Sequence, residues 1–206
     1  MNELLLAELC EAAESFHQRG YAYGSTGNIS VRDGDEVWIT PTGGSLRNLS
    51  PARLARVSLS GAPLNDARPS KEFPFHLAVY ERRPEARAVV HLHSPYSVAL
   101  SCLEDEGALA PLTPYFFMRV APLAVVPYFR PGSPDLAGAV RAAAGEHHCM
   151  LLRNHGTVCA GATLAEAVDR AEELEQTARL HFTLRGERVR TLTPREIEEL
   201  TAAFKS

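Results

Sequence analysis

Positive charge is scarce. Lysines and arginines number 21 against 25 aspartates and glutamates, for a formal net charge of -4, and the basic residues are scattered rather than gathered in a stripe. That excludes the electrostatic footprint of a nucleic-acid binder. Long apolar runs are missing too: no stretch approaches the roughly 18 consecutive apolar residues that a bilayer crossing needs. The opening segment Met1-Asn2-Glu3-Leu4-Leu5-Leu6-Ala7-Glu8-Leu9 carries acids where a signal peptide would carry bases. The four cysteines, Cys10, Cys102, Cys149 and Cys159, lie far apart and form no CxxC, so reduced, buried thiols in a cytoplasmic protein are the expectation. No internal repeat, low-complexity tract or linker interrupts the chain. With 45% hydrophobic residues over 206 positions, the composition suits one compact domain, residues 1–206, with a full core.

Periodicity and turn residues set out the elements. A helix is expected over about 2 to 19, then strands at Asn28 to Arg32 and Glu36 to Thr40 joined by the hairpin-type turn Asp33-Gly34-Asp35. A short helical start at Ser50-Pro51-Ala52-Arg53 and a strand from Ala55 to Ser60 follow. Ser70 is expected to cap a helix running to about Arg82, with Pro74 tolerated near its first turn and Pro84 ending it. Next come a strand ending in His91-Leu92-His93, a helix from about Pro95, a loop with several prolines, and a strand from Leu123 to Pro127. Pro134 to Ala144 is helical, Cys149 to Leu152 and Thr157 to Ala160 are strands, and Thr163 to about Leu184 is the longest helix. Leu164, Val168, Ala171, Leu174, Ala178 and Leu180 or His181 make its apolar stripe, while the run Glu172, Glu173, Glu175 is expected on a solvated face. Hairpin-like strand groups flanked by helices point to an α/β or α+β sandwich.

The chemistry begins with His91-Leu92-His93. The period of two along a strand sends both imidazoles to one face and aims two metal ligands at one point. A third histidine follows another apolar strand in Arg153-Asn154-His155-Gly156, and Glu72 opens a helix upstream. Three imidazoles with an open coordination position form a recurring catalytic zinc arrangement. Glu72 has two readings, a carboxylate stabilising a helix N-terminus or a general base beside the metal. His76, one helical turn on and on the same helical face, offers itself as a fourth ligand, but a core or hydrogen-bonded histidine is the expectation, as for His17, His147, His148 and His181.

Segments rich in glycine and hydroxyls have the make-up of an anion cradle: Gly24-Ser25-Thr26-Gly27-Asn28-Ile29-Ser30, Thr40-Pro41-Thr42-Gly43-Gly44-Ser45, and Arg68-Pro69-Ser70-Lys71-Glu72. Glycine lets backbone amides approach an anion closely, hydroxyls add donors, and a helix N-terminus adds unpaired N–H groups; phosphate is the anion expected.

The order of Gly27-Asn28-Ile29-Ser30, Thr40-Pro41-Thr42-Gly43, Pro69-Ser70-Lys71-Glu72, His91-Leu92-His93-Ser94 and Arg153-Asn154-His155-Gly156-Thr157 resembles the class II aldolase/adducin family, over about Leu4 to Leu184. The resemblance implies a sandwich with a central, largely antiparallel sheet flanked by helices, a homotetramer with active sites at subunit interfaces, and a divalent metal, usually zinc (Zn2+). It implies metal ligands at His91, His93 and His155, with Glu72 as an acid/base that also binds the metal when substrate is absent. Phosphate would be held by Gly27, Asn28, Thr42, Gly43, Ser70 and Lys71.

Within the family, three sets of strings look most like the 3-oxo-tetronate 4-phosphate decarboxylases. They are Pro69-Ser70-Lys71-Glu72; His91-Leu92-His93-Ser94 with Ala99-Leu100-Ser101-Cys102-Leu103-Glu104; and Thr113-Pro114-Tyr115 with Pro127-Tyr128-Phe129-Arg130-Pro131-Gly132. Fuculose-phosphate aldolases share the glutamate, ribulose-phosphate 4-epimerases carry an aspartate there, and adducin-like scaffolds lack the full histidine set. The aldolases also use a tyrosine in a C-terminal tail of a neighbouring subunit, and no tyrosine follows Tyr128 here.

The resemblance thus implies a carbon–carbon lyase yielding dihydroxyacetone phosphate through a metal-bound enediolate, with carbon dioxide as the other product for the decarboxylase and an aldehyde for the aldolase. Glu72 or Tyr115 would deliver the quenching proton, and Arg119 would hold the leaving carboxylate. The aldolase and a non-catalytic oligomeric scaffold stay open as alternatives.

Overall fold

The computed structural model describes residues 3–104 and 109–204; residue 2 of the expected first helix lies outside them. In chain order the elements are α1 (Glu3–Gln18), β1 (Asn28–Asp33), β2 (Glu36–Ile39), a 3-10 turn at Pro51–Arg53, β3 (Ala55–Ser58), α2 (Phe73–Arg82), β4 (Ala88–Leu92) and α3 (Pro95–Ser101). They continue with α4 (Pro114–Arg119), β5 (Leu123–Val126), α5 (Pro134–Ala144), β6 (Cys149–Leu152), β7 (Gly156–Gly161), α6 (Leu164–Thr183) and α7 (Pro194–Phe204). The strands form one seven-stranded sheet in the order β3-β2-β1-β4-β7-β6-β5. Every neighbouring pair is antiparallel except β5 and β6, which run parallel and are joined by α5, since a parallel pair needs a crossover.

Alternation along the strands assigns the faces. Ile29 and Val31 of β1 and Ala88, Val90 and Leu92 of β4 share one core with Leu6, Leu9, Ala13 and Phe16 of α1 and Leu164, Ala171 and Leu174 of α6. The opposite parity packs against α2 and α5: Val89 of β4, Met150 and Leu152 of β6 and Val158 of β7 meet Phe75, Val79, Tyr80, Leu136 and Val140. Because both faces are covered, β4 is buried along its whole length and reads as a continuous apolar run. This second parity carries the polar residues as well. Asn28 and Ser30 of β1 and His91 of β4 point to the α2 side, where they are buried against Glu72, His76 and Phe75.

Three local expectations are corrected. The helix expected to be capped by Ser70 begins at Phe73, with Glu72 at the capping position rather than in the first turn. A helix capped by Ser70 would need the N–H of Pro74 for its first bond, and proline has none. The backbone instead turns, with Phe73 N donating to Ser70 O at 3.0 Å and Phe75 N to Glu72 O at 3.2 Å. The proline-bearing loop after α3 contains α4, whose capping residue Thr113 accepts from Phe116 N at 3.3 Å. Glu175, expected in solvent, is buried at 3% exposure, its carboxylate accepting from Tyr96 N (2.9 Å), Ser97 N (2.8 Å) and Ser97 Oγ (2.7 Å) at the start of α3. An acid on the buried side of α6 thus satisfies amides that α3 cannot satisfy itself.

Close approach of two backbones fixes one glycine. A Cβ at Gly156 would lie inside the van der Waals surface of the Leu92 carbonyl oxygen and 3.3 Å from His93 Cδ2. Gly156→Ala is expected to cost about 3 kcal/mol of unfolding free energy, near the upper end of overpacking penalties. A urea titration within 1 kcal/mol of the native value, on the same order-of-magnitude scale, would contradict this.

Candidate metal centre

The sheet and the start of α2 bring three histidines and one carboxylate to one point. His91 is the penultimate residue of the buried strand β4, and His93, of the same parity, follows directly after the strand. His155 stands in the tight turn between β6 and β7, where His155 N donates to Leu152 O at 3.2 Å. Asn154 makes that turn by adopting φ 53°, a left-handed conformation that asparagine tolerates better than most residues. Glu72 reaches in from the start of α2. One ligand atom from each of Glu72, His91, His93 and His155 lies within 4.8 Å of all the others.

Their orientation fits a cation. His91 Nδ1 lies 2.8 Å from Thr157 O and donates to it, so in the neutral ring the Nε2 lone pair faces the centre. His91 Nε2 and His93 Nε2 approach to 2.9 Å, and Glu72 Oε2 is 3.3 Å from His91 Nε2. Glu72 Oε1 and His155 Nε2 are 3.1 Å apart but not aligned as donor and acceptor, and both are buried without a hydrogen-bond partner among the described residues. Orphaned buried ligand atoms of this kind are costly unless something else satisfies them. Three imidazoles and one carboxylate are a donor set suited to zinc and other borderline divalent ions.

The electrostatics agree. Burial, reinforced by His91 and His155, pushes the His93 imidazole down to about 3, so it stands neutral and ready to ligate at neutral pH. Burial by itself would raise the Glu72 carboxyl, but its interactions with His91 and His155 outweigh it and hold the group well below the usual carboxylate range. The Phe75 ring closes one side, edge-on to His91 with centroids 5.2 Å apart.

The glycine- and hydroxyl-rich segments lie beside one another. Thr42 N donates to Arg68 O at 3.0 Å and Ser70 N to Thr40 O at 3.1 Å, pairing the second segment with the third. Thr40 N donates to Ile29 O at 3.1 Å, which ties both to β1. Gly27, at φ +77°, sits so close to β4 that a Cβ would be 3.1 Å from His91 O. Thr42, Gly43 and Lys71 are exposed, whereas Ser70 is buried with its hydroxyl accepting from Glu72 N at 3.3 Å. Asn28 is buried and its side chain is turned to Glu72 and His76.

Tyr115 and Arg119 stand elsewhere. They are one turn apart on α4, where Tyr115 is 53% exposed and Arg119 lies over its ring at 5.6 Å and pairs with Asp169 of α6 at 3.4 Å. Among the described residues, no hydrogen bond, ion pair or ring contact links either to the cluster. Three of the remaining histidines have local partners: His147 Nδ1 with Pro122 O at 3.1 Å, His148 Nε2 with Arg83 Nη2 at 2.7 Å, and the His181 ring against Phe182. His17, expected to be hydrogen-bonded or in the core, has its Nδ1 buried with no hydrogen-bond partner among the described residues. Sequence reasoning missed Thr157 as the group that orients His91. It acts through its backbone carbonyl, which any residue type supplies, so only the β4–β7 register reveals it.

Residues 7–182 match the family of class II aldolase and adducin N-terminal domains. The chain is 47% identical over 205 residues to the 3-oxo-tetronate 4-phosphate decarboxylase of Haemophilus influenzae, covering 97% of this chain and 98% of that one. It is 36% identical to the L-fuculose phosphate aldolase of Methanococcus maripaludis, over 87% and 97% of the two chains. The crystal structure of YgbL from Klebsiella pneumoniae superposes with a TM-score of 0.93 at 44% identity, covering 97% of this chain and 99% of that chain. The match along most of the sequence, the sheet and its helical layers agree with one another, and the chain belongs to the class II aldolase/adducin family.

Proposed function

We propose that this protein is a zinc-dependent lyase that decarboxylates a 3-oxo-tetronate 4-phosphate to dihydroxyacetone phosphate and carbon dioxide. The observation that carries the reading is the convergence of Glu72, His91, His93 and His155, with buried ligand atoms that no hydrogen bond among the described residues satisfies. The similarity to decarboxylases over nearly the whole chain supports the choice of substrate. A divalent cation held by the three imidazoles would draw electron density from the substrate's keto and neighbouring hydroxyl oxygens, lowering the cost of carbon–carbon cleavage. When the bond to the carboxyl carbon breaks, its electron pair stays on the carbon beside the keto group, which then needs a proton. Glu72, facing the histidines from a buried wall, is assigned that proton transfer. Tyr115 is kept as a second proton donor and Arg119 as the holder of the leaving carboxylate. Their exposure on α4 suits a homotetramer in which a neighbouring copy brings them to the substrate.

Gly27, Asn28, Thr42, Gly43, Ser70 and Lys71 are assigned the phosphate, Asn28 through its backbone because its side chain is engaged. Lys71→Ala is expected to raise KM by about tenfold with kcat nearly unchanged, because a contact equally strong in ground and transition states acts on binding alone. Inorganic phosphate should compete with substrate. Equal kcat/KM for phosphorylated and unphosphorylated substrates would remove the cradle from the proposal.

The test is to incubate the metal-loaded protein with the oxo acid phosphate, generated in place by a kinase and a dehydrogenase, and to measure carbon dioxide and triose phosphate above an enzyme-free control. The similarity to an L-fuculose phosphate aldolase favours a second reading, cleavage of a ketose 1-phosphate to dihydroxyacetone phosphate and an aldehyde. Ketose cleavage with no decarboxylation above background would put the aldolase in place of the decarboxylase.

A further inference from the structure

Behind Glu72 runs a file of buried polar groups that the proposed chemistry leaves without a task. Glu72 Oε2 accepts from Asn28 Nδ2 at 2.9 Å, and Asn28 Oδ1 lies 2.5 Å from Nε2 of His76. The other nitrogen of that ring, Nδ1, is 2.8 Å from Ser30 Oγ, and Ser30 Oγ is 2.7 Å from Tyr80 Oη. Asn28 is 3% exposed, Tyr80 1%, and Ser30 and His76 not at all, so water offers them no alternative partners. The His76 ring is stacked on Phe75 with centroids 4.8 Å apart, which holds its plane.

The donor inventory gives this file a direction. A carboxylate oxygen only accepts, so Asn28 must turn its N–H to Glu72 and its carbonyl to His76. His76 Nε2 must then carry the proton and Nδ1 must accept, which draws the Ser30 hydroxyl proton to the ring and the Tyr80 hydroxyl proton to Ser30. Every donor in the file points toward Glu72. The opposite tautomer would reverse it: a bare Nε2 would ask Asn28 for a donor, the amide would flip, and two buried acceptors would meet at the Glu72 contact.

We propose that His76 is a positioning residue: held as the Nε2–H tautomer by Ser30 and Tyr80, it fixes the Asn28 amide and thereby the direction in which the Glu72 carboxylate faces His91, His93 and His155. Only the kinetic arm of its test rests on the proposed lyase reading; the spectroscopic and metal-binding arms do not.

Nitrogen-15 NMR of the metal-loaded wild-type protein labelled at histidine reads the tautomer directly, with the His76 signals assigned by their loss in His76→Gln. The Nε2–H form is expected, and the Nδ1–H form overturns the proposal. His76→Leu, which can neither donate nor accept, is expected to weaken metal affinity in a chelator competition, or lower kcat with KM steady, by about tenfold to a hundredfold, the usual effect of removing a group that orients a metal ligand. His76→Gln, whose amide offers both a donor and an acceptor, should recover to within about threefold of wild type, since both hydrogen bonds can be remade. Wild-type metal affinity and kcat in folded His76→Leu, or no recovery in folded His76→Gln, count against the proposal. If His76→Leu fails to fold, the tautomer measurement decides. A wild-type protein without lyase activity would overturn the functional reading while leaving the tautomer and metal affinity to judge this one.

Discussion

Changing His93 to alanine is expected to empty the metal site and lower turnover by about a thousandfold, the equivalent of the several kcal/mol a bound cation supplies to a developing charge. His93 suits the experiment better than His91. The His91 ring is fully buried, packs against Phe75 and is bonded to Thr157 O, so its loss would also open the core. His93 stands just past the strand end, with its ring centroid 4.8 Å from those of both His91 and His155. Truncating it takes away one aimed nitrogen and leaves the sheet intact. Because burial keeps that nitrogen unprotonated down to about pH 3, proton competition does not mask the effect near neutral pH. Elemental analysis of the purified variant, beside wild type loaded in the same way, gives the answer. A full complement of metal on a folded His93→Ala protein would remove His93 from the ligand set.

Features that repeat along the chain were the most legible. The HxH parity aims His91 and His93 together because a strand alternates wherever it sits, and the apolar runs at β4 and β6 are strands because both faces of the sheet are covered. Capping signals are legible as well. Thr193 and Glu196 form a reciprocal box in which Thr193 N donates to Glu196 Oε2 at 2.8 Å and Glu196 N to Thr193 Oγ1 at 3.3 Å, with Pro194 opening α7, a helix outside the expected elements. Pro74, admitted near a first turn, is the residue that places the helix start at Phe73 and puts Glu72 at its cap. What local sequence could not reveal were pairings between distant segments. Glu175 looks like part of an acidic run until α3 brings its free amides alongside, 78 and 79 positions away in the chain. Asn28 looks like a cradle residue until β1 and α2 are packed, when its amide proves to be the partner of Glu72 across 44 positions.

That partnership bears on what Glu72→Gln should do. The amide has the shape of the carboxyl and can still accept from Asn28 Nδ2 with its oxygen, so the buried wall and the fold are expected to survive. Its nitrogen then occupies the place of Oε1, 3.1 Å from His155 Nε2, and presents hydrogens where the native group presents a lone pair. The variant can neither take up a proton nor carry negative charge, while the three imidazoles remain to hold a cation. A positioned acid/base contributes roughly a hundred- to ten-thousand-fold in rate, and a loss of kcat in that range is expected with metal content unchanged. The measurement is carbon dioxide and triose phosphate released per metal-loaded site, with the spontaneous loss of carbon dioxide from the 3-oxo acid subtracted. Two results would be decisive against the assignment. A Glu72→Gln protein within about tenfold of wild type falls short of what acid/base catalysis is worth and would pass the proton to another group, with Tyr115 the first to test. A variant that loses its metal together with its activity would show Glu72 acting as an essential ligand, leaving its proton-transfer role without support.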